Sequence, residues 1–228
     1  MKTKLISFVL ILFLFVPVLI GQNIESTKTS FAILGGVNLQ NLNGKDNNGD
    51  KLTNEMIIGF HLGINVQVPI VPEFYFQPGL LFSTKGAKDY YGSLTGTYKL
   101  SYIELPLNLV YKGSLGDGYV MIGFGPYAGY AIGGKSTLND DNTTYDKDIV
   151  FKNEVEDGDE YLAAYVKRFD AGGNIFAGYE MAGGIFFQLN AQFGMLKINP
   201  VDNRIIKVYS DELSVKNRGF GLSLGYRF

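Results

Sequence analysis

The chain has 228 residues, with 29 glycines, 15 tyrosines and 17 phenylalanines, one histidine, and neither cysteine nor tryptophan. Without cysteine there are no disulfides, thiolate metal sites, cysteine nucleophiles or lipidated cysteine anchors, and His61 alone cannot build a multi-histidine metal site. A formal charge of −2 gives no electrostatic footprint for nucleic acid, and a hydrophobic share of 46% is too low for a polytopic helical membrane protein.

Lys2 and Lys4 precede an apolar run from Leu5 to Ile20, followed by Gly21 and the polar residues Gln22 and Asn23. A basic start, a short apolar stretch and a small residue describe a secretory signal peptide over residues 1–21. The rival reading is a membrane anchor, but a helix of that length spans only ~24 Å, short of a hydrocarbon core of ~30 Å. Cleavage leaves 18 basic and 22 acidic residues, a mature charge of −4. Residues 22–30 then form a short periplasmic segment ahead of the main domain, 31–228.

From residue 31 onward the hydrophobic pattern has a period of two. Ile103, Leu105, Leu107, Leu109 and Tyr111 share one parity, while Glu104 and Asn108 occupy the other, as in a strand with one apolar and one polar face. Eight such segments follow each other at about 31–40, 56–68, 74–85, 98–111, 119–133, 166–181, 184–197 and 216–228. Glycine makes up about 13% of the chain, against ~7% in ordinary proteins, and much of it lies on the second face. A soluble sandwich would carry charge there. Small and amide-bearing residues suit the narrow interior of a closed barrel instead.

The connections alternate in length: 41–55, 86–97, 134–165 and 198–215 are long, whereas 69–73, 112–118 and 182–183 are short. Long loops on one side and tight turns on the other characterise transmembrane barrels. The expected fold is therefore all-β, an eight-stranded antiparallel up-and-down transmembrane barrel with both termini in the periplasm.

A family resemblance rests on Gln77-Pro78-Gly79-Leu80, Lys85-Gly86, the run from Tyr102 to Leu107, Phe124-Gly125-Pro126-Tyr127, and the run from Arg168 to Gly173. In this order they resemble the PorT-like outer-membrane β-barrel family of Bacteroidota. The resemblance implies an eight-stranded barrel in the cell envelope. One namesake member is associated with a protein secretion system, while most members have no assigned activity. The terminal Phe228 is similar to the aromatic signal by which barrels are recognised by the outer-membrane assembly machinery.

Carrying the polar parity inward places His61, Asn65, Gln67, Gln77, Lys85, Glu104, Asn108, Arg168, Asp170, Asn174, Glu180, Gln188, Asn190, Gln192 and Arg227 in the lumen. The charged members His61, Lys85, Glu104, Arg168, Asp170, Glu180 and Arg227 are expected to form a structural network, because an unpaired buried ion costs several kcal/mol, with a polar channel or proton pathway as the alternative. Glu180 is expected to meet Arg227, and Glu104 to meet Arg168 in a second cluster. His61 has no serine signature beside it, so a histidine held by lumen hydrogen bonds is expected and no enzyme chemistry, cofactor or metal. Tyr98, Tyr102, Tyr111, Tyr119, Tyr130, Tyr179 and Tyr226 are assigned to interfacial girdles.

Residues 135–165 carry nine acids against three lysines, a local excess of six negative charges. Asp157, Asp159 and Glu160 offer oxygen donors but lack the twelve-residue spacing of an EF-hand, so a solvated anionic loop is the plainer reading. Ile149-Val150-Phe151 and the run 161–166 are expected to extend the flanking strands as a protruding hairpin with Asp157-Gly158 at its tip. Two more membrane strands are the alternative, although 149–151 is short for a crossing of ~9–11 residues. Two functions stay open: a structural or interaction barrel with an envelope or secretion partner, and a narrow passage for a small solute. Outer-membrane lipid is a partner in either case.

Overall fold

The computed structural model describes residues 28–91, 94–140, 143–161, 163–204 and 213–228, so the proposed signal peptide lies outside the described residues. The strands are β1 (Ser30–Lys45), β2 (Ile57–Val71), β3 (Phe74–Tyr91), β4 (Leu94–Leu115), β5 (Gly118–Asp140), β6 (Thr143–Asp148), β7 (Val150–Phe151), β8 (Glu154–Val155), β9 (Tyr165–Val166), β10 (Phe169–Glu180), β11 (Ile185–Gly194), β12 (Val201–Asp202) and β13 (Ser214–Arg227).

Eight of them, β1 to β5, β10, β11 and β13, form one antiparallel sheet. Pairing of β10 with β5 closes this sheet on itself. At the seam β1 meets β13 from Ala32↔Arg227 to Lys45↔Ser214. Closure leaves no free edge in the wall, so every ladder hydrogen bond is made within the barrel, the condition a sheet must meet in lipid.

The alternation settles which face goes where. Phe31, Ile33, Val37 and Leu39 of β1, Ile58, Phe60, Leu62 and Ile64 of β2, and Leu222, Leu224 and Tyr226 of β13 are all exposed on the outside. Such a continuous apolar surface is far larger than a water-soluble monomer tolerates, so its solvent is hydrocarbon. No described helix is long and apolar enough to cross a membrane. The crossing is made by strands.

At one end the turns are tight. Pro72-Glu73 joins β2 to β3, with Glu73 at φ 68°, and Gly116-Asp117 joins β4 to β5. Gly184, at φ 86°, ends the turn before β11, where an added Cβ would stand 2.3 Å from the Arg227 carbonyl oxygen. Only glycine satisfies both demands. Phe228 donates its backbone N–H to the Phe31 carbonyl at 2.8 Å and sets its ring edge-on to Tyr226.

The other end departs from the expected layout in three ways. Residues 86–97 do not form a long loop: β3 runs to Tyr91 and β4 starts at Leu94, because their backbone ladder continues from Lys85↔Leu100 to Tyr91↔Leu94. The protruding hairpin pairs β5 with β6, from Lys135↔Asp148 to Asp140↔Thr143, instead of using 149–151 and 161–166. Those two runs pair with each other in parallel, Val150↔Tyr165 and Phe151↔Val166. The physical reason is Ile149, which is buried against Leu100, Tyr102, Ala131 and Ile198 and so turns the chain inward across the mouth. A second parallel ladder, β12 with β8, continues this cover.

Candidate functional site

The lumen is filled in layers, and the first charged layer lies just beneath the cover. Glu104 on β4 and Asp170 on β10 both stand opposite Gly129 of β5, which has no side chain to separate them. Lys85 reaches from β3 between the two carboxylates, 2.5 Å from Glu104 Oε1 and 3.0 Å from Asp170 Oδ2. The Glu104 contact is an ion pair without hydrogen-bond alignment. Asp170 Oδ2 also accepts from Tyr127 Oη at 3.1 Å and Asn217 Nδ2 at 2.9 Å, while Gln192 Nε2 donates to Glu104 Oε2 at 3.1 Å. The ammonium also lies 4.5 Å from the centre of the Tyr127 ring.

Arg168 is not part of this layer, so the expected pairing with Glu104 is corrected: Lys85 takes that place. Arg168 precedes β10, where the strand parity no longer applies. It is exposed, donates from Nη1 to the Ala131 carbonyl at 2.9 Å, and lies over Phe151 and Tyr130. Tyr102 is a second correction. It is fully buried in the lumen, on the same parity as Glu104, and belongs to no girdle. Tyr98 packs half-buried against the same apolar cluster, whereas Tyr119, Tyr130 and Tyr226 are exposed on the outside.

Below the first layer His61 bridges two strands. Its Nδ1 lies 2.6 Å from Asn38 Oδ1 and its Nε2 lies 2.7 Å from Ser223 Oγ. An amide oxygen only accepts, so Nδ1 carries the proton and Nε2 accepts from the Ser223 hydroxyl. Asn190 Nδ2 in turn donates to Ser223 Oγ at 2.7 Å, and Gln188 Nε2 to Asn190 Oδ1 at 2.6 Å. The order serine, histidine, asparagine matches that of a nucleophile, base and orienting group. The cavity beside these residues is about 90 Å³ and is polar enough to hold ordered water. Asn174 and Asn108 hydrogen-bond each other on the same cavity wall.

An apolar layer follows, made of Ala32, Leu34, Val110, Met121, Phe176 and Phe186. Phe176 lies across from Gly123, where a Cβ would come within 2.3 Å of the ring, and Phe186 similarly covers Gly225. The glycine face is thus a set of sockets for rings from neighbouring strands.

At the tight-turn end lies the second charged layer. Arg227 Nε donates to Glu180 Oε2 at 2.8 Å, the expected pair, and Lys112 Nζ donates to Glu180 Oε1 at 2.5 Å. Arg227 also reaches Asn65 Oδ1 at 3.2 Å and Gln77 Oε1 at 3.5 Å, and Gln67 Nε2 donates to Gln77 Oε1 at 2.8 Å. Lys112 escaped the sequence reading because its apolar run ends at Tyr111, although the inward parity of Glu104 and Asn108 leads to it.

Above the barrel the cover carries its own ion pairs. Lys152 holds Asp159, Lys147 holds Glu160, and Arg204 Nη2 meets Asp202 Oδ2 at 2.7 Å beneath Tyr161 and Tyr165. The hydrogen bond from Lys152, with the Glu156 backbone N–H, holds the Asp159 carboxyl below its usual pKa. Two of the three acids considered as oxygen donors for a cation, Asp159 and Glu160, are therefore engaged by lysines, and among the described residues no cluster of three or more acids, histidines or cysteines offers a metal site. A vestibule of about 590 Å³ remains between the cover and the first loop.

A closed antiparallel barrel with an apolar outside, a packed polar lumen and long connections at one end is an integral outer-membrane β-barrel protein. The chain belongs to the family described as "Outer membrane protein beta-barrel domain", which matches residues 22–198. No curated protein matches its sequence. Similar solved structures include Ail, the attachment invasion locus protein of Yersinia pestis, at 12% identity and TM-score 0.39, covering 89% of this chain and 100% of that one. Neisserial surface protein A is 13% identical at TM-score 0.41, with 88% and 98% covered. The N-terminal barrel domain of Pseudomonas aeruginosa OprF is 12% identical at TM-score 0.34, with 90% and 100% covered. None of these likenesses bears on function.

Proposed function

We propose that this protein is a sealed display barrel: a non-enzymatic outer-membrane scaffold that holds its covered loop end outside the cell for interaction, with both termini in the periplasm. The observation that supports it best is the filled lumen: two charged layers and an apolar layer stack through it, and the cavity beside His61 is about 90 Å³. A narrow passage would need a continuous wet path, whereas Lys85, Glu104 and Asp170 at one level and Lys112, Glu180 and Arg227 at another pair across the lumen. The PorT-like resemblance suggests an envelope or secretion complex as partner, and Phe228 suggests delivery by the barrel assembly machinery. Purified protein in planar bilayers should give no steady conductance, and discrete steady openings would favour the passage reading instead. Protease added to intact cells should cut between residues 135 and 165. Cutting only after the outer membrane is permeabilised would invert the topology.

A further inference from the structure

At the loop end of the seam, an outward-facing groove combines features that the display reading does not use. The β1–β13 register marks where the lipid-facing surface stops. Outward pairs are apolar as far as Leu39↔Phe220, and the next two are Asn41↔Arg218 and Asn43↔Lys216. Arg218 therefore stands at the first polar level above the hydrocarbon belt. It is exposed, lies 5.6 Å from the Phe193 ring centre and 5.8 Å from that of Phe220, and has no hydrogen bond or ion pair among the described residues.

The first loop leans over this point and makes a groove of about 360 Å³. Asn41 Nδ2 donates to the Asn54 carbonyl at 3.3 Å and Asn54 Nδ2 to the Leu42 carbonyl at 3.2 Å, which fastens the loop to the wall. Asp46 is spent at the loop tip, where its Oδ1 accepts the backbone N–H groups of Asn48 and Asp50 at 2.8 and 2.9 Å. The groove lining holds two cations, Lys51 and Arg218, and no carboxylate. Its floor of Leu39, Met56 and Phe220 is exposed and continuous with the apolar belt below.

We propose that this groove binds the phosphate-bearing headgroup of an anionic outer-leaflet lipid. Arg218 and Lys51 face the phosphate, and the first acyl carbons lie along Leu39, Met56 and Phe220. A guanidinium suits phosphate oxygens because its planar fork gives two parallel charge-assisted hydrogen bonds. An unpaired cation at this depth is otherwise poorly placed, between hydrocarbon and a groove lining that holds no carboxylate. The floor excludes a purely soluble anion as the best occupant, since it would leave the apolar surface uncovered.

The inference rests on the barrel standing in the outer membrane with its loop end outward. The test uses the full chain folded into neutral phosphatidylcholine nanodiscs doped with a phosphorylated glycolipid or with its dephosphorylated counterpart. Heat-modifiable electrophoretic mobility reports folding, and native mass spectrometry reports the lipid retained. Retention of the phosphorylated lipid should exceed that of its counterpart by about tenfold, a difference that Arg218→Gln with Lys51→Gln should remove. Lys135→Gln, which alters an outward cation already paired with Asp146 at 3.2 Å, should leave it unchanged. Equal retention of the two lipids by the folded protein overturns the proposal, as does equal loss in the Lys135 variant. Displacement by equimolar inorganic phosphate would assign the cations to a free anion and overturn the lipid as occupant. Failure of the wild-type chain to fold into the bilayer would instead strike the membrane reading itself.

Discussion

The two charged layers of the lumen solve the same problem with opposite composition. Near the loop end, one lysine serves two carboxylates, and all three side chains are at most 4% exposed. Near the turn end, two cations share Glu180, with 6–10% of each side chain reached by solvent. The first arrangement has no redundancy. Removing Lys85 strands two buried acids, whereas removing Lys112 leaves Glu180 still held by Arg227. Position in the barrel thus decides how much a single ion pair matters, more than its length does.

That contrast can be broken by measurement. Lys85→Met should destabilise the folded barrel by about 3–5 kcal/mol, the cost of leaving buried charge unpaired. Denaturant unfolding in lipid vesicles would show it, and a smaller loss than for Lys112→Met would reverse the ranking of the layers. On the wall between the layers, Phe124→Arg should cost about 2–4 kcal/mol near the bilayer midplane, whereas Asn108→Ser, on the lumen side, should cost less. Equal tolerance at the two positions would mean that the faces are assigned backwards. Lys112→Met should cost about 1.5–3 kcal/mol, the range for a hydrogen bond to a charged group.

The smallest effect concerns the cover. Hydrogen bonds from Lys152 and from Arg204 hold the Asp159 and Asp202 carboxyls below the ordinary value of 3.8. A carboxyl depressed in the folded state lends stability that is complete above its unfolded pKa and fades as pH falls through the folded one. Hydrogen exchange in residues 150–166 should therefore rise below pH 3.8 while the wall strands stay protected. Asp159→Asn should flatten that acid response. A response of the same size in the variant would place its cause elsewhere.

The wall was readable in the sequence because each strand repeats one rule many times. Leu105, Leu107 and Leu109 point outward for the same reason, and a single exception would not have hidden it. The cover was not readable. Its ladders are two residues long and parallel, and the role of Ile149 and Ile198 depends on meeting each other from far apart in the chain. The misplaced site residues have local causes. Arg168 shares the parity of Asp170, but the strand has not yet begun there. Tyr102 is of a residue type common in girdles, yet its parity with Glu104 points it inward. Asn38, Tyr127, Asn217 and Ser223 were passed over because neutral or aromatic residues on a lumen face announce no partner until the register is known.

The seam between β1 and β13 has a consequence for how the protein is made. Ala32 and Arg227 are farther apart in sequence than any other paired ends of the wall, so loop-closure entropy makes this seam the pairing expected to form last. Until that moment two strand edges with lipid-facing side chains stand open, each a template for joining a second unfinished copy. Assembly is a race between intramolecular zipping and polymerisation. A partner that masks one edge until the other arrives would decide the winner.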